Sequence, residues 1–368
     1  MSAPFDCAVI GAGVMGCSTA LFLARGGMRV ALLERGRICR GASGVNAGTL
    51  TMQMTRAALI PYAMRAWEMW MRTPEWLDDG DVLARACPGL SVAFTEREVA
   101  ILEERARIRR EAGAPIELVD AARATAVEPG LNPKVLLAAH CPIDGFTSAY
   151  LTGRAFRPAL LAAGVDVREG CAVESIAPGF VLRTAQGAVE ARRVVLAGGV
   201  WLEPMAAWFG VRLRIKTLIN QLVVTERLPP VMRSVLGVAS GLLSLKQYEN
   251  GTVLIGGGWQ GIGSRETGPV AVQPDNLLGN IRLAVHTIPA LRAARVVRSW
   301  LGLEAETDDA LPAIGMLPGV PDAWVIGSVH SGYTSGPYFG KLLAQAILGA
   351  APELPLFPVE RLLLREAA

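Results

Sequence analysis

Several common signals are missing from this 368-residue chain. It has no marked excess of either charge, since its formal net charge is +3 and like charges form no block. It therefore lacks the electrostatic footprint of a nucleic-acid-binding protein. It has no CxxC motif, and its six cysteines (7, 17, 39, 87, 141 and 171) show no paired spacing. That argues against a disulfide framework or an iron–sulfur site and reads as reduced, mostly buried thiols of a cytoplasmic protein. No basic stretch precedes an apolar core and cleavage site, so no secretory signal is expected. Residues 7–24 carry no charge, which is about the shortest run that could cross a bilayer. The three glycines inside that run argue for a turn instead, and no membrane span is expected. What the chain has in quantity is apolar residues (51%) and glycine (40 residues), as in a well-buried protein of one large or two interleaved domains.

The most informative stretch lies at the start. The apolar run Ala8, Val9, Ile10 leads into Gly11-Ala-Gly13-Val14-Met15-Gly16, followed by a helical apolar pattern through Leu21, Phe22 and Leu23. In a strand, turn and helix of this kind, Gly11 permits the tight turn. Gly13 lets the backbone approach a pyrophosphate, Gly16 lets helix and strand pack closely, and the helix N-terminus faces the phosphates. A second strand, residues 29–33, ends at Glu34, where a carboxylate would meet a ribose hydroxyl. The set predicts a dinucleotide site with an unphosphorylated adenosine ribose, as in FAD or NAD.

A small-residue loop follows, Gly41-Ala42-Ser43-Gly44-Val45-Asn46-Ala47-Gly48-Thr49-Leu50. The paired signatures GAGVMG and GASGVNAG, with Glu34-Arg35 between them, resemble the flavoproteins of the D-amino-acid oxidase superfamily. The resemblance continues through Ala197-Gly198-Gly-x-Trp201 at the end of a buried strand. It includes Trp300, Gly302, Thr307, Asp309, Pro312 and Gly315 in the family's spacing, and the glycine-rich turn His330-Ser331-Gly332-Tyr333-Thr334. It implies an α/β fold in which a Rossmann-like FAD-binding domain (1–80, 145–210 and 300–368) is interleaved with an antiparallel-sheet substrate domain (81–144 and 211–299). It also implies FAD contacts at Gly11, Gly13, Val14, Met15, Gly16, Glu34, Arg35, Ala42, Ser43, Asn46, Ala47, Gly48, Thr49, Leu50, Val173, Ala197, Gly198, Trp201, Ser331, Gly332 and Thr334. Where flavin-bearing relatives bond FMN through a His, this chain has Thr147 and Ser148, so the FAD is expected to be non-covalent. An NAD enzyme shares the first motif but not the later signatures.

Between these signatures, residues 55–112 read mainly as helix. Tyr62, Met64, Trp67, Trp70, Met71 and Trp76 form a stripe suited to core or subunit contact. Residues 96–110 read as a charged, solvated helix. Residues 211–258 turn to β, with Glu249-Asn250-Gly251 as a hairpin turn. A helix is expected over 274–288, and a last one over 338–348.

On the substrate side, relatives of the glycine oxidase type use two arginines for a carboxylate, where this chain has Glu304 and His330. A Glu would repel that ligand. Either the carboxylate is gripped elsewhere, or Glu304 meets a cationic part of a larger substrate, or it pairs with a nearby Arg. His330 and Tyr333 are the catalytic candidates, and Gln53, Lys246, Gln247 and Glu304 the substrate-binding ones. The resemblance implies oxidation of the C–N bond of an amino or imino acid (hydroxyproline, proline, D-amino acid or opine type) by hydride transfer to flavin N5, with electrons passed to partner subunits of a hetero-oligomer. The alternatives are a stand-alone oxidase producing peroxide and a flavin-bearing subunit with no chemistry of its own.

Overall fold

The computed structural model describes residues 3–266, 269–330 and 332–364. Two large sheets dominate it. The first has six strands in the order Ala313–Met316, Ala323–Gly327, Val194–Leu196, Cys7–Ile10, Val30–Leu33, Asp166–Arg168. All neighbours are parallel except the first pair. The Cys7–Ile10 and Val30–Leu33 strands are buried at every residue, as expected for parallel strands covered on both faces.

The second sheet has eight strands, ordered Val296–Glu306, Lys216–Arg227, Thr252–Gly256, Ser244–Gln247, Val235–Val238, Gly89–Ala93, Leu137–Cys141, Glu117–Asp120. It is antiparallel apart from the contact of Val235–Val238 with Gly89–Ala93. In the hairpin between Ser244–Gln247 and Thr252–Gly256, Gly251 has φ +88° and Asn250 Oδ1 accepts from the Thr252 amide at 3.0 Å. The Gly89–Ala93 strand interrupts the 55–112 region that was expected to be mainly helix. Gly89 is required there because a Cβ would fall 2.0 Å from Asp144 Oδ2.

The helix Val14–Arg25 lies against the last long helix, Gly332–Ile347, at backbone distance. A Cβ on Gly340 would sit 2.5 Å from that of Ser18. The last helix starts at Gly332, six residues before the expected start, and carries Pro337 in its interior. Proline removes the N–H that would serve the carbonyl four residues back, that of Tyr333. The buried Trp70 indole replaces it, donating from Nε1 to Tyr333 O (3.2 Å) and Thr334 O (3.0 Å) while its ring stacks on Tyr333 at 4.6 Å. The aromatic stripe of the early helix Ile60–Met71 thus serves as core that secures the final helix. All six cysteines are free and buried, and no described helix is long and apolar enough to cross a membrane.

Replacing Trp70 by Phe keeps the stacking but leaves the Tyr333 carbonyl without its donor. Urea unfolding should show a loss of about 1–3 kcal/mol. An unchanged midpoint would show that the helix tolerates Pro337 unaided.

Candidate functional site

A cavity of about 1130 Å³ runs between the two sheets. Its floor is the first turn. Gly11, at φ +104°, brings its carbonyl so close to Gly16 that a Cβ there would lie 2.0 Å from that oxygen. A Cβ on Gly13 would meet Ser43 Oγ at 3.2 Å, and Ser43 Oγ accepts from the Val14 amide at 2.9 Å, so the second loop is tied directly to the helix start. Glu34 takes the Ala12 amide on one carboxylate oxygen (2.9 Å) and the Gly36 amide on the other (2.8 Å). The Arg35 guanidinium lies 3.6 Å over the Trp201 ring. Ser328, just after a strand of the first sheet, has φ +55°, a costly value for a side-chain-bearing residue. Its buried Oγ has no hydrogen-bond partner. A backbone cradle that excludes Cβ atoms, a helix N-terminus and an orphaned buried hydroxyl fit a dinucleotide with a polar ring system.

Of the expected cofactor residues, Gly11, Gly13, Val14, Met15, Gly16, Glu34, Arg35, Ala42, Ser43, Asn46, Ala47, Thr49, Val173, Ala197, Gly198, Trp201, Gly332 and Thr334 line this cavity. Ser331 lies outside the described residues. Gly48 and Leu50 do not face the cavity. Gly48 is pressed against the Thr147 backbone, where a Cβ would lie 2.2 Å from Thr147 O, and Leu50 is fully buried in the core. The Asn46 amide is spent on its own loop, donating to Ala42 O and Ser43 O.

On the substrate side, Gln53, Glu304, His330 and Tyr333 line the cavity. Gln53 Nε2 is buried there without a partner. Glu304 Oε2 accepts from Asn220 Nδ2 at 2.5 Å and lies 3.3 Å from His330 Nδ1. The Glu304 carboxylate at this distance holds the His330 pKa above its ordinary value, first by hydrogen bonding to the imidazolium and then by its charge, against the opposing effect of burial. Glu306 beside it pairs with Arg56 at 3.7 Å.

Three assignments need correction. The Tyr333 hydroxyl is directed away from the chemistry, held between Thr147 Oγ1 (2.9 Å) and Thr152 Oγ1 (2.7 Å), and burial pushes its pKa well up. Tyr333 therefore offers the cavity its backbone and no proton donor. Gln247 does not reach the cavity. Its Oε1 accepts from the Val231 and Met232 amides and its Nε2 donates to Pro229 O and Gly251 O, pinning a loop. Lys246 is fully buried behind the wall, where its Nζ donates to Thr49 Oγ1 and, at 3.4 Å, to Ser244 Oγ. Without a carboxylate beside it, burial lowers its pKa to about 7.

Two arginines that sequence reasoning does not single out, Arg105 and Arg109, also line the cavity. They project from the helix Glu96–Glu111, where residues 96–110 were expected to form a charged, solvated face. Leu102, Arg105, Ala106 and Arg109 share one face of that helix, at the i, i+3, i+4, i+7 spacing that marks an inward stripe. The spacing is visible in the sequence, but arginine on it reads as exposed charge.

The family model described as FAD dependent oxidoreductase matches residues 6–346, and the chain belongs to that family. It is an FAD-dependent oxidoreductase. It is 27% identical to a glycine oxidase of Geobacillus kaustophilus over 94% of each chain, and 27% identical to one of the subunits of an opine oxidase of Rhizobium meliloti over 97% of each. The fold matches the crystal structure of L-proline dehydrogenase from P. horikoshii with a TM-score of 0.88 at 22% identity, over 96% of each chain.

Two titrations test the electrostatics. At pH 8 the unfolded chain holds on Lys246 a proton that the native chain has largely released, so unfolding takes up a proton and native stability rises with pH between about 7 and the unfolded value of 10.5. Denaturant melts of Lys246→Met should lose that rise relative to the wild type, and parallel curves would place the Lys246 titration elsewhere. Removing the carboxylate in Glu304→Gln should shift the His330 imidazole NMR titration to lower pH. The chain has three histidines, which keeps the assignment simple.

Proposed function

We propose that this chain oxidises the C–N bond of an amino or imino acid to an imine, which hydrolyses to an oxo acid. Bound FAD would supply the acceptor for the hydride equivalent from the carbon bearing nitrogen. Gly11, Gly13, Gly16, Ser43 and Glu34 would hold the dinucleotide, and the N-terminus of the Gly332–Ile347 helix would present positive potential to the ring. The observation that carries the reading is the Glu304–His330 pair, fixed by Asn220 in the same cavity as that cradle. Its carboxylate suits a substrate nitrogen that arrives as a cation.

The likeness to the opine oxidase subunit along nearly its whole length supports a hetero-oligomer in which electrons pass to a partner chain. The likeness to glycine oxidase supports a second reading, a stand-alone oxidase that delivers them to oxygen as peroxide. Hydroxyproline, proline, D-amino acid and opine types are the substrates to test.

The FAD-loaded chain should lose its visible flavin absorbance anaerobically with one class among glycine, sarcosine, both prolines, hydroxyprolines, D-amino acids and opines. Absence of bleaching by all of them, with FAD retained, would move the active site to another chain. Peroxide released on admitting air would favour the stand-alone oxidase.

A further inference from the structure

The cavity has two electrically different ends. On the strand Val296–Glu306 the acidic groups are matched, Glu304 by His330 and Asn220, and Glu306 by Arg56. The arm under the helix Glu96–Glu111 is not matched. Arg105 Nη1 donates to Ala239 O at 2.6 Å, and Arg109 donates from Nε to Thr55 O at 2.9 Å and from Nη1 to Arg105 O at 3.3 Å. All of these acceptors are neutral carbonyls. Among the described residues, no carboxylate comes within 4 Å of either guanidinium.

Asp144 is the acidic group lining the same arm. Its two oxygens are taken by the Thr51 hydroxyl (2.6 Å) and the Met52 amide (2.8 Å), and burial raises its pKa to about 6, so it balances only part of the charge. Burial also lowers the Arg109 pKa, to about 10, as expected of a cation short of counter-charge. Leu90, Leu102, Ile116 and Ala139 line the cavity with the two arginines. Arginine on the inward stripe of a helix is costly unless something pairs with it.

We propose that Arg105 and Arg109 form the carboxylate-binding site of this cavity, so that the substrate lies with its carboxylate in this arm and its nitrogen toward Glu304. A planar guanidinium with donors left over suits a carboxylate better than a point cation would. The inference rests on the reading of an amino or imino acid as substrate, but its test does not depend on oxidation.

Calorimetric titration of the FAD-loaded full chain with butyrate and hexanoate, and with the corresponding amides, compares charged and neutral probes that carry no amine to oxidise. In the wild type, the carboxylates should bind about tenfold or more tightly than the amides. Arg109→Met and Arg105→Gln should each remove most of that preference and leave amide affinity unchanged. Arg105→Gln keeps a donor for Ala239 O, so it remains informative if Arg109→Met does not fold. Equal binding of acid and amide by the wild type would overturn the proposal. So would equal weakening of both probes in the variants, which marks a structural role. A chain that prefers the carboxylates yet bleaches with no amine would keep this site and lose the proposed reaction.

Discussion

The structure depends on a backbone contact that leaves no room for a methyl group. Where the first strand turns into the first helix, the Gly11 carbonyl occupies the space a Cβ of Gly16 would need. The same turn fits against Ala197, just past the neighbouring strand Val194–Leu196, and the Ala197 carbonyl lies 2.5 Å from where a Cβ on Gly11 would be. Parallel strands need covering helices, and a helix that can approach this closely leaves its N-terminal amides facing the space above the strand ends. Ser43 and Glu34, from two further segments, then fasten onto amides of this turn, Ser43 onto that of Val14 and Glu34 onto that of Ala12. The cradle is assembled from short local contacts that fix one another.

The second sheet contributes a wall of different character. Its edge strand carries two carboxylates in a row of alternate residues, Glu304 and Glu306, and each lies beside a basic side chain from another element, His330 and Arg56. Lys246 shows the opposite arrangement, a charge-capable group sealed behind the wall with the Thr49 and Ser244 hydroxyls as its hydrogen-bond partners. Burial resolves it by lowering its proton affinity. The carboxylates keep the cavity surface polar at chosen points, whereas Lys246 lies out of its reach behind the wall.

How legible a feature is in the sequence follows how local its cause is. The spacing of Gly11, Gly13 and Gly16 encodes its own geometry, as does the Asn250-Gly251 turn, and both are where a reader of the chain would put them. Strand residues are harder. Alternation says that Lys246 and Gln247 point to opposite faces, but not which face meets the cavity and which a loop. Their true partners, Thr49 and residues 229–232, are remote in sequence. Tyr333 reads as a phenol near the flavin until Thr147 and Thr152 are folded around it. The last helix begins before Pro337 because an indole from residue 70 takes over a donor that proline lacks, and no local pattern could announce this. The arginines of Glu96–Glu111 are hidden by their chemistry, since charge on a helix ordinarily marks water.

That indole, and the strand order of the first sheet, have a consequence for synthesis. Val194–Leu196 has Cys7–Ile10 on one side and Ala323–Gly327 on the other, and the helix that covers the first turn is made of residues 332–347. A chain emerging from the ribosome can pair its early strands but must leave one flank of a largely apolar sheet open until these residues appear. Non-local closure of this sort is slow and exposes unpaired edges. The small-residue contact of Gly340 with Ser18, which seats the last helix against the first, therefore forms only once residues 332–347 have been made.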